Sequence, residues 1–129
     1  GRVWFTVDFR HPHEAVLAAL GDQVEPCAKA AVTRCEVRVS EPSRARPTQF
    51  TDMVGNAIIR AADRRALAWR SIYSGAGHDA RHMSAHCPTG MVFIPCDGGI
   101  SHNERENARP EHVAAGAQVI MDVMLDLAS

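Results

Sequence analysis

The chain has 129 residues, 46% of them hydrophobic and 22% charged, and 14 basic against 15 acidic side chains leave a net charge of -1. That length suits one domain or two small pieces, and that balance excludes the electrostatic footprint of a nucleic-acid or anionic-membrane binder. No apolar run approaches the roughly 20 residues needed to span a bilayer, and four cysteines without a C-x-x-C pair predict reduced thiols in a cytoplasmic protein.

The chain opens on Gly1-Arg2-Val3-Trp4-Phe5-Thr6-Val7 without an initiator methionine, the pattern expected of a piece cut from something longer. Val3, Phe5, Val7 and Phe9 alternate with Arg2, Trp4, Thr6, Asp8 and Arg10, which predicts a half-buried strand over 2–10. Pro12 then marks a helix start, with Glu14 in its first turn. Ala15, Leu17, Ala18, Leu20, Val24, Cys27, Ala28 and Ala31 extend that helix to about Val32, with Gly21 as a weak point. Cys35, Val37 and Val39 alternate with polar neighbours and predict a second strand. Strand, helix and strand within forty residues make a compact β-α-β unit of an α+β layer.

Glu41-Pro42-Ser43-Arg44-Ala45-Arg46-Pro47 fits neither period and predicts a linker between two domains. Beyond it, Phe50, Met53, Val54, Ala57, Ile58, Ala61 and Ala62 form an apolar stripe, so 50–64 should be helical. A strand is expected over 67–73, a glycine turn at 75–77, and a short helix from His78 to His86. Residues 91–95 form an apolar run suited to a strand covered on both faces. After a polar loop, Pro110 should start a final helix that buries Val113, Ala114, Ala117, Val119, Ile120, Val123, Met124 and Leu127. Alternating helices and apolar strands make this second part α/β.

Two turns concentrate the chemistry. Ser74-Gly75-Ala76-Gly77-His78-Asp79-Ala80 and Gly98-Gly99-Ile100-Ser101-His102-Asn103 combine glycine-freed backbone with imidazoles and a carboxylate. A core rarely needs that combination, because glycines cost backbone entropy and buried imidazoles need partners. His78, His82 and His86 are spaced by four, a spacing that can chelate a metal on a helix, although a solvated helix face is the favoured reading of His82 and His86. His78 follows Gly-Ala-Gly at an expected helix start, where free amides suit an anionic group. Asp79 could cap that helix or fix an imidazole tautomer. His102 follows an expected interior strand, where α/β folds gather their ligands, and its imidazole suits a borderline metal. Glu106 could support it or pair with Arg105 or Arg109. Arg10, at a strand end, could hold a carboxylate through two parallel hydrogen bonds or form a salt bridge with Asp8 or Glu14.

Three motifs, Thr6-Val7-Asp8-Phe9-Arg10-His11-Pro12, the Ser-Gly-Ala-Gly-His-Asp-Ala turn, and Gly99-Ile100-Ser101-His102-Asn103 with Glu106, resemble the C-terminal portion of the N-carbamoyl-L-amino acid hydrolases. β-Ureidopropionase and allantoate amidohydrolase are close relatives within the di-metal aminoacylase and carboxypeptidase superfamily. The resemblance runs in order along essentially the whole chain. It implies that 1–43 end an α+β lid and dimerisation domain, and that 47–129 are the C-terminal part of an α/β catalytic domain. It further implies two divalent ions (zinc, manganese, cobalt or nickel) in the full-length enzyme and a homodimer.

By the same resemblance, His102 matches a metal ligand, Arg10 the arginine that binds the substrate carboxylate, and Gly77 and His78 substrate-contacting positions. Asp79 and Glu106 would support them from behind. The general base and the remaining metal ligands would lie upstream of residue 1, so no residue of this chain is a catalytic candidate. Glu104-Arg105 departs from the Pro-Ala common in the family. The expected activity is metal-assisted hydrolysis of N-carbamoyl amino acids or related ureido acids, with the isolated chain binding metal weakly and turning over nothing. A non-catalytic interaction domain, or an allantoate amidohydrolase or aminoacylase-type peptidase, is the alternative.

Overall fold

A computed structural model of the protein describes residues 1–128. It divides into two compact units, Gly1–Thr48 with Tyr73–Ala76, and Gln49–Ile72 with the residues from Gly77 onward.

In the first unit the one regular element is helix α1, Glu14–Ala30. His13 stands at its N-cap in extended conformation without a side-chain cap bond, so the start depends on Glu14 in the first turn and Lys29 in the last, each complementing the helix dipole. Glu25 and Lys29, one turn apart, pair at 2.6 Å. Pro26 lies inside α1, where its ring removes a backbone donor, yet the helix closes normally with Ala31 N–H donating to the Cys27 carbonyl at 3.0 Å. The polar segment 41–46 folds along this helix. Arg44 bonds Glu41 at 2.5 Å and approaches Asp22 at 3.8 Å, and Arg46 pairs with Glu14 at 3.0 Å. The Arg44 guanidinium lies 3.1 Å from where a Cβ on Gly21 would stand, so glycine at that helical position makes room for it.

The second unit is built on α2, Asp52–Arg64, and α4, Pro110–Ala128, which pack on each other. Ala57, Ala61 and Ala62 of α2 meet Val119 and Val123 of α4, with Ile58, Leu67 and Val92 around them. Alanines on one face let the two backbones approach closely, and residues 90–94 come equally near. A Cβ on Gly90 would stand 2.7 Å from Val54, and one on Gly116 would stand 2.6 Å from Ile94. α2 ends in a Schellman motif: Leu67 N–H donates to the Ala62 carbonyl at 3.0 Å and Ala66 N–H to that of Asp63 at 2.9 Å. Ala66 takes the left-handed conformation there (φ 52°) where glycine is usual, and Leu67 is thereby turned onto the core. Arg65 then bonds both carboxylate oxygens of Asp122 at 2.7 and 2.9 Å, and Arg64 reaches Asp126 at 2.8 Å. The remaining elements are a single helical turn α3, Ala80–Met83, and a 3-10 turn at Asp97–Gly99.

Three expectations need correction. Among the described residues no strand forms, so the β-α-β unit over the first forty residues and the strands at 67–73 and 91–95 are not present as ladders. Locally the alternation is real: Arg2 lies over Trp4, Arg38 bonds Glu36 and Arg10 bonds Asp8, all pairs two apart that share a side. A strand, however, needs the N–H and C=O groups of a neighbour, and these segments do not supply them to one another. The helix expected over 78–86 shrinks to four residues. Finally, α4 buries Gly116, Val119 and Val123, while Val113, Ile120, Met124 and Leu127 stay 46–67% exposed. α4 is apolar around much of its circumference, and α2 covers one face of it.

Candidate functional site

In the first unit, Arg10 donates from Nε to Asp8 at 3.2 Å and from Nη2 to the other Asp8 oxygen at 2.6 Å. Its Nη1 donates to the Gly75 carbonyl. The salt bridge with Asp8 weighed from the sequence therefore forms, and Asp8 rather than Glu14 is the partner. The Arg10 hydrogen bond holds the Asp8 carboxyl below its usual range, and the Arg10 guanidinium is correspondingly raised. Those three bonds leave two of the five guanidinium N–H groups for an incoming acceptor. Ser74 Oγ accepts from Ala76 N–H at 3.2 Å, which folds the 73–76 turn whose Gly75 carbonyl meets Arg10.

In the second unit, Gly77 precedes His78. A Cβ at Gly77 would meet nothing within 4 Å, and its backbone is not left-handed, so no neighbour within this chain demands glycine there. The His78 ring is half-buried and meets Phe93 edge to face, with centroids 5.5 Å apart. Asp79 stands at the N-cap of α3 with helical backbone and makes no side-chain cap bond, so its expected capping role is not seen. With α3 ending at Met83, His82 and His86 do not continue one helical row.

The loop carrying His102 follows the 3-10 turn Asp97–Gly99. Gly98 and Gly99 are left-handed (φ 62° and 69°), and His102 is left-handed too (φ 55°). Glu106 explains how the imidazole-bearing residue is kept so: its Oε2 accepts from His102 N–H at 2.9 Å, and its Oε1 from the Cys96 thiol at 3.7 Å. Burial, then the Glu106 carboxylate, pushes the Cys96 thiol up, away from nucleophilic thiolate. Asn103 supports the same turn, its carbonyl taking Glu106 N–H and its side chain taking Arg105 N–H, both at 2.9 Å.

Sequence reasoning missed the base of this loop. Asp97 N–H donates to the Asn107 carbonyl at 2.8 Å, Asn107 Nδ2 returns a bond to Asp97 Oδ2 at 2.7 Å, and Arg109 Nε reaches Asp97 Oδ1 at 3.2 Å. No local pattern announces it, because the partners are ten and twelve residues apart. His112 was missed as well: its Nδ1 is buried without a hydrogen-bond partner. Among the described residues no three His, Cys, Asp or Glu side chains gather to hold a metal ion. His102 thus fits a metal as one exposed donor, not as a complete site.

Residues 6–126 match the model of Peptidase family M20/M25/M40. The N-carbamoyl-L-amino-acid amidohydrolase of Rhizobium meliloti is 35% identical over 130 residues, an overlap covering 99% of this chain and 31% of that protein. The allantoate amidohydrolase of Bacillus subtilis is 28% identical over 130 residues, covering 99% and 32%. Among solved structures, an amidase of the hydantoinase/carbamoylase family from Burkholderia multivorans superposes with a TM-score of 0.83 at 40% identity, covering 90% of this chain and 29% of that one. The chain spans about a third of the length of the curated relatives it matches.

Proposed function

The chain belongs to peptidase family M20/M25/M40, and from that premise we propose that it forms part of a metal-dependent amidohydrolase. Its substrates are N-carbamoyl amino acids or related ureido acids, cut at a linear C–N amide bond. Relatives named for this activity align with nearly all of the chain, which supports the reading. In the proposed enzyme, 1–43 end a lid and dimerisation domain, 47–129 are the C-terminal part of an α/β catalytic domain, and two subunits pair.

One observation carries the assignment. Of seven histidines, His102 is the one held in left-handed backbone among the described residues, and its ring is exposed. Left-handed backbone costs an L-residue on the order of 1–2 kcal/mol, and such cost concentrates where a side chain must be aimed. We assign His102 as a terminal ligand of one of two divalent ions, zinc, manganese, cobalt or nickel, with the other ligands and a glutamate base contributed from outside residues 1–129. The bound metal supplies Lewis-acid polarisation of the scissile carbonyl.

This chain's residues then do the following. Glu106 accepts the His102 amide and holds the backbone that carries the ring. Arg10, kept fully charged by Asp8, offers its remaining N–H groups to the substrate carboxylate. Gly77 leaves room for substrate beside the backbone, and His78, steadied by Phe93, donates to or accepts from the ureido group; Asp79, the next residue, has a supporting role in this reading. Overall, one water is consumed, and the amino acid, carbon dioxide and ammonia are released.

The test offers the native, metal-loaded enzyme N-carbamoyl amino acids, allantoate and N-acyl amino acids, and measures ammonia and amino acid released. Ammonia from the first or second class is the expected result. Turnover of N-acyl substrates alone would replace the reading by an aminoacylase. His102→Ala should lose metal and activity together, and an unchanged metal content would remove it as a ligand. Arg10→Lys should raise KM by roughly ten- to hundredfold while metal content stays normal, and an unchanged KM would take Arg10 out of the substrate site.

A further inference from the structure

We infer that Asp97 is a positioning residue for His102, acting through a clamp with Asn107 and Arg109; the inference rests on the ligand role proposed above for His102. The reasoning starts from the loop backbone. Gly98 and Gly99 reach left-handed φ at no steric cost, but the same freedom leaves the loop many other conformations. His102 pays a steric penalty for its own left-handed φ, so a loose loop would relax it. Something outside the turn must therefore hold it.

The structure places that restraint at the loop base. Asp97 N–H meets the Asn107 carbonyl at 2.8 Å, so the backbone closes a ring around residues 98–106. Each Asp97 carboxylate oxygen then has its own donor, Asn107 Nδ2 at 2.7 Å and Arg109 Nε at 3.2 Å. The Arg109 carbonyl accepts from His112 and Val113 N–H at 3.0 and 3.1 Å, so Arg109 stands at the N-cap of α4. α4 is anchored by Gly116, Val119 and Val123 in the core. Through Arg109 the clamp thus ties a glycine-loosened loop to a helix anchored in the core of the unit. Within it, Glu106 makes the second tie, to the His102 amide.

Stability of the fold does not explain this arrangement. The Asp97 and Arg109 side chains are 43% and 63% exposed, and ion pairs so open to solvent add little to global stability. Their effect is local order, which a metal ligand requires, since loss of a supporting contact costs about ten- to hundredfold in metal affinity.

The experiment uses the native enzyme and two readouts other than turnover. In metal-free protein, Asp97→Ala should speed amide exchange over 99–106 while the melting midpoint stays in place. In zinc titrations by calorimetry, the same variant should bind one ion about ten- to hundredfold more weakly, and combining it with His102→Ala should add nothing to the loss that His102→Ala causes alone. Asn107→Ala, which removes only one of the two side-chain bonds to Asp97, should give a smaller change in the same direction and serves if Asp97→Ala lowers the melting midpoint. The exchanged pair Asp97→Asn with Asn107→Asp keeps a donor facing an acceptor and should restore affinity. If His102→Ala leaves zinc binding intact, the ligand reading falls and this inference with it. If His102→Ala abolishes one site while Asp97→Ala and Asn107→Ala leave both exchange and affinity unchanged, the clamp alone is refuted.

Discussion

The two units use helices of similar length in opposite ways. α1 spans 17 residues in the first unit and buries none of them, whereas α2 and α4 in the second bury a shared core of alanines and valines. Composition does not separate them, since α1 also carries Val16, Leu17, Leu20 and Val24. What differs is the partner: α2 and α4 have each other, and α1 has a polar segment held by arginine–carboxylate pairs. Helical order in the first unit thus depends on local and exposed interactions, each small, and in the second on removal of apolar surface from water.

Four substitutions sharpen that contrast in urea unfolding of the native protein. Ala61→Leu, at a position with 0% exposure against α4, should cost the most, about 3 kcal/mol, because an overfilled helix contact must move backbone. A destabilisation below about 1 kcal/mol would show that the core is loosely packed. Val119→Ala should cost about 2 kcal/mol through lost burial and the cavity left behind. The same change in α1, Val16→Ala at 41% exposure, should cost less than about 0.5 kcal/mol. Equal costs for the two valines would erase the distinction between the units.

The fourth test is the pH dependence of the pair joining α2 to α4. Arg65 holds the Asp122 carboxyl below its ordinary range by a two-pronged hydrogen bond. The unfolded chain titrates Asp122 near 3.9, so the stabilisation is complete above that value. It is lost as pH falls further, through the lower pKa of the folded state. Asp122→Asn should therefore narrow its deficit against the unsubstituted protein below about pH 4 and keep a constant deficit from pH 5 to 8. A deficit that does not change with pH would mean that the pair adds only shape.

Much of the helical content was legible from spacing. The stripe Met53-Val54-Ala57-Ile58-Ala61-Ala62 located α2 to within two residues, and Pro110 marked the start of α4. Pro26 was overlooked inside α1, and the helix tolerates it. The period-two segments were read for their propensity, and side chains two apart do share a side, but the ladders they would need are absent. The Ser-Gly-Ala-Gly and Gly-Gly-Ile-Ser-His motifs lie in non-helical turns, as their glycines suggest. They did not disclose that Glu106 would take the His102 amide instead of its ring, or that Asp97, Asn107 and Arg109 would close the loop.

By itself the sequence determined where the three long helices lie and the family to which the chain belongs, since period, proline position and motif identity are properties of neighbouring residues. Tertiary structure alone decided which face of α4 is buried, and that Asp122 meets Arg65 and Asp97 meets Arg109. Those outcomes depend on surfaces brought together from distant parts of the chain, where desolvation and hydrogen-bond geometry select among choices that local pattern leaves equal.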